Sequence, residues 1–298
     1  MPEILTSREE MSQIVDELSR YPGRFAALSQ RPPCPSSPPE RGAIANIMED
    51  LRTLLFPGYL GNTETASADV VHHIGKTIHS VIRPLEEQVR RALCFSCEQA
   101  DALPGCSQRA AELVRQFLKR LPAVQQTLLG DIMAAYEGDP ACETPEEAIL
   151  AYPGVYTLTY YRIAHELYEL EIPLLPRMIT EIAHGATGID IHPGATIGER
   201  FFIDHGTGVV IGATCIIGNR VRLYQGVTLG AKSFQTDENG RLVKGIPRHP
   251  IIEDDVIIYA GATILGRITI GKESVIGGNV WLTHGVPAGS RITQSNAG

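Results

Sequence analysis

Cysteine is scarce, tryptophan occurs once, and positive charge is outnumbered. Six cysteines in 298 residues (Cys34, Cys94, Cys97, Cys106, Cys142 and Cys215) are too few for a disulfide framework. Cys94-Phe95-Ser96-Cys97 with Cys106 lacks the fourth ligand of a zinc-finger pattern, so no metal is expected there. Reduced thiols in the cytoplasm are the simpler reading. Lys and Arg number 26 against 34 Asp and Glu, a net charge of −8, which excludes a broad nucleic-acid footprint. No apolar run reaches the roughly 18–20 residues that span a bilayer. The opening MPEILTSREE has neither the apolar segment nor the cleavage site of a signal peptide. What remains is an ordinary globular composition, 43% hydrophobic and able to bury a sizeable core.

Up to about residue 185 the chain reads as helical. Ser7 and Glu10 have capping-box spacing, and 31–40 (RPPCPSSPPE) reads as a linker or surface loop. Apolar residues recur at three- and four-residue spacing over 41–56, 66–100 and 107–136, as in Ile74, Ile78, Val81 and Ile82. Thr144-Pro145-Glu146-Glu147 combines a cap, a first-turn proline and an acidic third position. Helices over 155–170 and 174–184 complete this half.

Beyond residue 185 the rhythm changes. Ile191, Ile197 and Ile203 are six apart, as are Ile211, Ile217, Leu223 and Leu229, and then Ile252, Ile258, Ile264, Ile270, Ile276 and Leu282. Four residues after most of them stands a small or apolar side chain: Ala195, Thr207, Cys215, Val221, Val227, Val256, Ala262, Ile268 and Val280. A period of six fits neither a helix nor a strand alternation, but it fits hexapeptide β-helix repeats. Each hexapeptide makes one flat side of a triangular coil, and each coil buries its aliphatics against its neighbours. The expected fold is therefore α + β: a helical region over 1–185, serving assembly and part of the substrate site, then a left-handed parallel β-helix over 186–298. The beat breaks twice. Ile203 to Ile211 carries two extra residues on Asp204-His205-Gly206-Thr207-Gly208, and a polar segment over 231–250 must loop out. An interruption in a regular solenoid points to a site.

Asp190-Ile191-His192-Pro193-Gly194-Ala195-Thr196-Ile197-Gly198, Ile203-Asp204-His205-Gly206-Thr207-Gly208, Gly226-Val227-Thr228-Leu229-Gly230 and Arg248-His249-Pro250 together resemble the bacterial serine O-acetyltransferases. The likeness extends upstream to Gly138-Asp139-Pro140 and Tyr161-Arg162-Ile163-Ala164-His165 and covers roughly 135–290. It implies acetyl transfer from acetyl-CoA to the hydroxyl of L-serine. His205 would be the general base and Asp190 the carboxylate that orients it, with Asp139, Asp204, Arg248 and His249 holding serine. Gly230, Ala231, Lys232, Ala260 and Gly261 would line the acetyl-CoA groove between neighbouring prisms of a homotrimer. A dimer of trimers and feedback inhibition by cysteine also belong to the family picture. The family's terminal isoleucine, which docks into cysteine synthase, has no counterpart in the ending Thr293-Gln294-Ser295-Asn296-Ala297-Gly298, so that complex is not expected.

The residue types suit this chemistry. A serine hydroxyl needs a base within hydrogen-bond reach to attack a thioester, and imidazole titrates in the right range. A carboxylate behind the ring fixes its tautomer and stabilises the imidazolium. Asp190 and His205 are 15 residues apart, close to one coil, which would stack them on adjacent turns. A zwitterionic acceptor calls for acids (Asp139, Asp204) and a forked cation (Arg248). The CoA phosphates call for local bases, with Lys232, Arg241, Lys244 and Lys272 at hand. Competing readings are an acetyltransferase for homoserine or a sugar, a γ-type carbonic anhydrase binding zinc through His192, His205 and His249, and a non-catalytic scaffold.

Overall fold

The computed structural model describes residues 8–21, 23, 37–61, 70–96 and 103–296. Ser7, Cys34, Cys97 and residues 31–36 of the Pro-rich segment lie outside them. The described helices are α1 (Arg8–Ser19), α2 (Arg41–Leu55), α3 (Val70–Ser96), α4 (Leu103–Gly138), α5 (Pro145–Ala151), α6 (Pro153–Glu169) and α7 (Leu175–Thr187). Their apolar stripes meet in one core: Met48 and Leu51 of α2, Val81 and Val89 of α3, and Phe117 and Leu128 of α4 are buried together. The Thr144 hydroxyl accepts the Glu147 N–H, so α5 starts where its cap and proline dictate. Among the described residues no helix is long and apolar enough to cross a membrane.

After α7 the chain turns into very short parallel strands that repeat around three faces. One face stacks β1 (Asp190–Ile191), β4 (Val210–Ile211), β7 (Thr228–Gly230), β10 (Thr263–Leu265) and β13 (Trp281–Leu282). The next stacks β2 (Thr196–Ile197), β5 (Ile216–Ile217), β8 (Ile251–Ile252) and β11 (Thr269–Ile270). The third stacks β3 (Phe202–Ile203), β6 (Arg222–Leu223), β9 (Ile257–Ile258), β12 (Val275–Ile276) and β14 (Arg291–Ile292). In each of the first thirteen strands the residue on the six-residue beat points inward, and all of these aliphatics are buried.

The insertions show up as register. Asp190 pairs with Val210, 20 residues on, whereas the uninterrupted step from Val210 to Thr228 is 18. From Thr228 to Thr263 it is 35, the excess being the extruded loop before β8. That loop runs exposed over most of its length and closes on itself through an antiparallel bridge between Thr236 and Leu242. The two-residue insertion also displaces one expected core position. Thr207 is exposed, and Val209 fills the coil in its place.

The motif Tyr161-Arg162-Ile163-Ala164-His165 on α6 straps the helices to the first coil. Tyr161 Oη donates to the Ala195 carbonyl at 2.6 Å, and Arg162 donates to the carbonyls of Ile197 and Gly198, each at 2.6 Å. The His165 ring donates from Nδ1 to the Pro193 carbonyl at 2.8 Å. Helix α6 is thereby buried along most of its length, and its start lies against the end of β3.

Candidate active site

The site residues assemble at two different edges of the coil. The first is the edge where β3 hands over to β4. His205 adopts φ of +55° there, a left-handed conformation that a β-carbon disfavours, and Gly206 follows at +83°. A Cβ on Gly206 would lie 2.4 Å from Ile189 Cδ1, so only glycine fits the turn. The His205 side chain is 72% exposed, with its Nε2 3.9 Å from Asp204 Oδ1.

Asp139 reaches the same edge from the helical half. It directly follows α4, whose last residue Gly138 packs on the Phe202 ring and gives its carbonyl to Arg222 at 3.2 Å. The Ala141 N–H donates to Asp139 Oδ1 at 2.8 Å and the Tyr152 phenol donates to Oδ2 at 2.6 Å. These donors, Tyr152 foremost, hold the Asp139 carboxyl below the usual carboxylate range, and the charge of His205 adds to the effect. At Gly154, two residues beyond Tyr152, a Cβ would sit 2.4 Å from the Ile203 carbonyl oxygen. That close approach brings the start of α6 against the residue preceding Asp204. Ala260 and Gly261 follow β9 on this edge, one coil below the stacked Tyr224 and Tyr259 rings' upper member, and these two rings have centroids 5.0 Å apart.

The second cluster occupies the edge between the β1 and β2 faces. Thr214 organises it. Its hydroxyl accepts the N–H groups of Arg248 (2.9 Å) and His249 (3.2 Å) and gives its own proton to His249 Nδ1 at 2.8 Å. The Thr214 N–H also donates to Nδ1, at 3.1 Å. With Nδ1 committed as an acceptor, the neutral ring carries its proton on Nε2 and presents a donor. Burial pushes His249 down to about 4, helped by the charges of Arg248, His192 and Arg267. The His249 ring lies over Gly212, where a Cβ would come within 2.0 Å.

His192 repeats this pattern one coil away. Its Nδ1 accepts the Gly194 N–H at 3.0 Å, and burial, with Arg177 next in order, lowers its pKa. Beside these two donors the buried Arg248 Nε has no hydrogen-bond partner. Two neutral imidazole donors and an orphaned guanidinium nitrogen make an edge that lacks an acceptor and suits an anion. Gly230, Ala231 and exposed Lys232 follow β7 on this same edge.

The expected stacking of Asp190 on His205 is not present in the single chain. The insertion lengthens this coil to 20 residues, so Asp190 pairs with Val210 and not with a residue 15 away. Its carboxylate meets Arg177 at 3.4 Å, while Arg177 also pairs with Glu181. Lys272 lies on the third edge, between β11 and β12, and pairs with Glu273 at 3.3 Å, apart from both clusters. Arg241 and Lys244 are exposed in the extruded loop. The three histidines of the zinc reading divide between the edges, His192 and His249 on one and His205 on the other. Among the described residues, one group of ligand-type side chains close enough for a metal is Glu181, His184 and Asp190, which Arg177 already bridges. His192, Tyr152, Thr214 and Arg222 were not among the expected site residues. Only His192, inside the Asp-Ile-His-Pro run, had a sequence signal.

Residues 249–284 match the family described as bacterial transferase hexapeptide (six repeats), which defines the class as a hexapeptide-repeat transferase. The plasmid serine acetyltransferase of Synechococcus elongatus is 52% identical over 261 residues, 86% of this chain and 82% of the relative. The crystal structure of Entamoeba histolytica serine acetyltransferase 1 in complex with L-cysteine superposes with a TM-score of 0.73 at 36% identity, covering 87% of this chain and 88% of that one. Soybean serine acetyltransferase complexed with serine superposes at 0.54 with 28% identity, covering 84% and 95%. This chain belongs to the serine acetyltransferase family.

Proposed function

We propose that the chain carries out the family reaction with His205 as base: acetyl-CoA and L-serine give O-acetylserine and CoA, the entry to cysteine synthesis. His205 Nε2 or Nδ1 takes the serine hydroxyl proton, the oxygen attacks the thioester carbonyl, the C–S bond breaks, and the imidazolium returns the proton to the CoA thiolate. Asp204, at 3.9 Å, supplies negative charge beside the imidazolium. Asp190 is the orienting carboxylate of this reading. Its 3.4 Å contact with Arg177 is long, and Arg177 is shared with Glu181, so Asp190 is free to turn to the ring once that is charged. Asp139 and Asp204 take the ammonium of serine, while Arg248 and His249 take its carboxylate.

The observation that carries this reading is the division of the site between two edges, with acids and base at β3/β4 and anion-accepting donors at β1/β2. One zwitterion needs both sets. The edge of one copy must therefore meet the other edge of the next, which is what a closed three-fold assembly provides. We accordingly read the protein as a homotrimer whose coil is left-handed, divided near residue 185 from its helical half. Gly230, Ala231 and Lys232 from one copy and Ala260 and Gly261 from its neighbour would line the acetyl-CoA groove. Cysteine differs from serine by one atom, so the same contacts would seat it, in keeping with the cysteine complex of the Entamoeba relative. The buried free thiols Cys94, Cys106, Cys142 and Cys215 suit a reducing cytoplasm. The deciding experiment is CoA thiol release from acetyl-CoA with L-serine, homoserine and hexoses as acceptors. Turnover should require serine and should fall about 100-fold or more in His205→Ala, the range of a positioned base. Near-normal turnover in that variant would remove His205 from the base role.

A further inference from the structure

Asp139 is more tightly held than a carboxylate that merely awaits a ligand. Tyr152 closes α5 and opens α6, so the backbone of two helices fixes where its phenol lies. Pro153 follows it, and Gly154 seats that joint on the Ile203 carbonyl, next to Asp204 and His205. The phenol spends its single proton on Asp139 Oδ2, at 2.6 Å, while the Ala141 N–H occupies one lone pair of Oδ1. Each oxygen retains one lone pair, and both oxygens are held in a single rotamer.

We propose that Tyr152 is a positioning residue that sets acceptor selectivity, fixing Asp139 so that its free lone pairs meet the ammonium of the substrate. The proposal rests on the reading in which Asp139 binds that ammonium. Burial and the neighbouring Asp139 and Cys142 raise the Tyr152 phenol above its ordinary value, so it stays a donor throughout the working range. Its hydrogen bond in turn keeps Asp139 ionised. A hydroxy acid without an amino group gains nothing from this arrangement. Tyr152 therefore acts on the choice between acceptors and leaves acetyl-CoA binding alone.

The test compares kcat/KM for L-serine with kcat/KM for 3-hydroxypropionate, which is serine without its ammonium, in the wild type, Tyr152→Phe and Asp139→Asn. The ratio of two acceptors on one preparation is independent of how much protein is correctly folded. In Tyr152→Phe the ratio should fall about tenfold, the scale of one hydrogen bond to a charged group. The loss should appear in KM for serine, with KM for acetyl-CoA unchanged. Asp139→Asn should abolish most of the preference. A Tyr152→Phe ratio equal to wild type, with the Asp139→Asn ratio collapsed, overturns the role of Tyr152 alone. An unchanged ratio in Asp139→Asn overturns the ammonium reading itself and the proposal with it.

Discussion

Arg162 Nε stands 3.0 Å from Asp131 Oδ2, and both side chains are buried where α4 and α6 meet the first coil. Asp131 Oδ1 also accepts the Phe201 N–H at 2.9 Å, and the guanidinium spends its remaining donors on the Ile197 and Gly198 carbonyls. The pair thus joins the helical half to the coil through backbone groups that would otherwise be unsatisfied.

Removing one partner of such a pair leaves an uncompensated buried group. Arg162→Met should cost about 3–5 kcal/mol in urea unfolding at pH 7. Burial raises the Asp131 carboxyl above its ordinary value and Arg162 works against that rise. Without Arg162 the carboxyl takes up a proton more readily in the folded state than in the unfolded chain. Stability then falls as pH rises through the raised value, so the variant's deficit should narrow between pH 7 and pH 4. A deficit that widens on acidification contradicts this account.

The two half-sites predict complementation. His205→Ala and His249→Ala should each be nearly inactive as purified homotrimers. Unfolded together and refolded as mixed trimers, about one quarter of the contacts between copies pair an intact β3/β4 edge with an intact β1/β2 edge, if assortment is random. Thiol release should therefore recover to roughly that fraction of the wild-type rate. Mixing that restores no activity would show that each chain works with its own two edges.

His249 should titrate far below an ordinary histidine. Its folded value is about 4, against about 6.5 in an unfolded chain, so the unfolded state binds more protons between these values. Stability from this group is complete above pH 6.5 and is lost as pH falls toward 4, by up to about 3 kcal/mol. The ring signals of His249 in NMR, assigned by comparison with His249→Gln, should show a midpoint near 4. Thr214→Val, which removes the proton shared with Nδ1, should change that midpoint. A midpoint above 6 would refute the buried-donor assignment.

Much of this architecture was legible in the sequence because each hexapeptide places one side chain inside the coil. The run from Ile191 to Leu282 declared which residues are buried, and its two breaks declared where the chain leaves the stack. Helix bounds followed similarly from caps and prolines, as at Thr144 and Pro145. The positions of side chains relative to one another were less accessible. Counting residues suggested that Asp190 lies one coil from His205, but the insertion that makes the His205 turn also lengthens that coil. Thr207 kept the beat in sequence and lost its place to Val209 for the same reason. Tyr152 and Arg222 carry no pattern at all, since what they do depends on how a helix end meets a coil edge. Nor does a period of six reveal that acids and anion-accepting donors fall on separate edges.

The loop extruded between β7 and β8 leaves the strands on either side in perfect step, Leu229 against Ile264 and Ile217 against Ile252. Length at such a bend is thermodynamically uncoupled from the interior. Loops of other sizes and charges could be grafted between Gly230 and Arg248 to retune donor preference or inhibition, and the scaffold beneath them would keep its melting point.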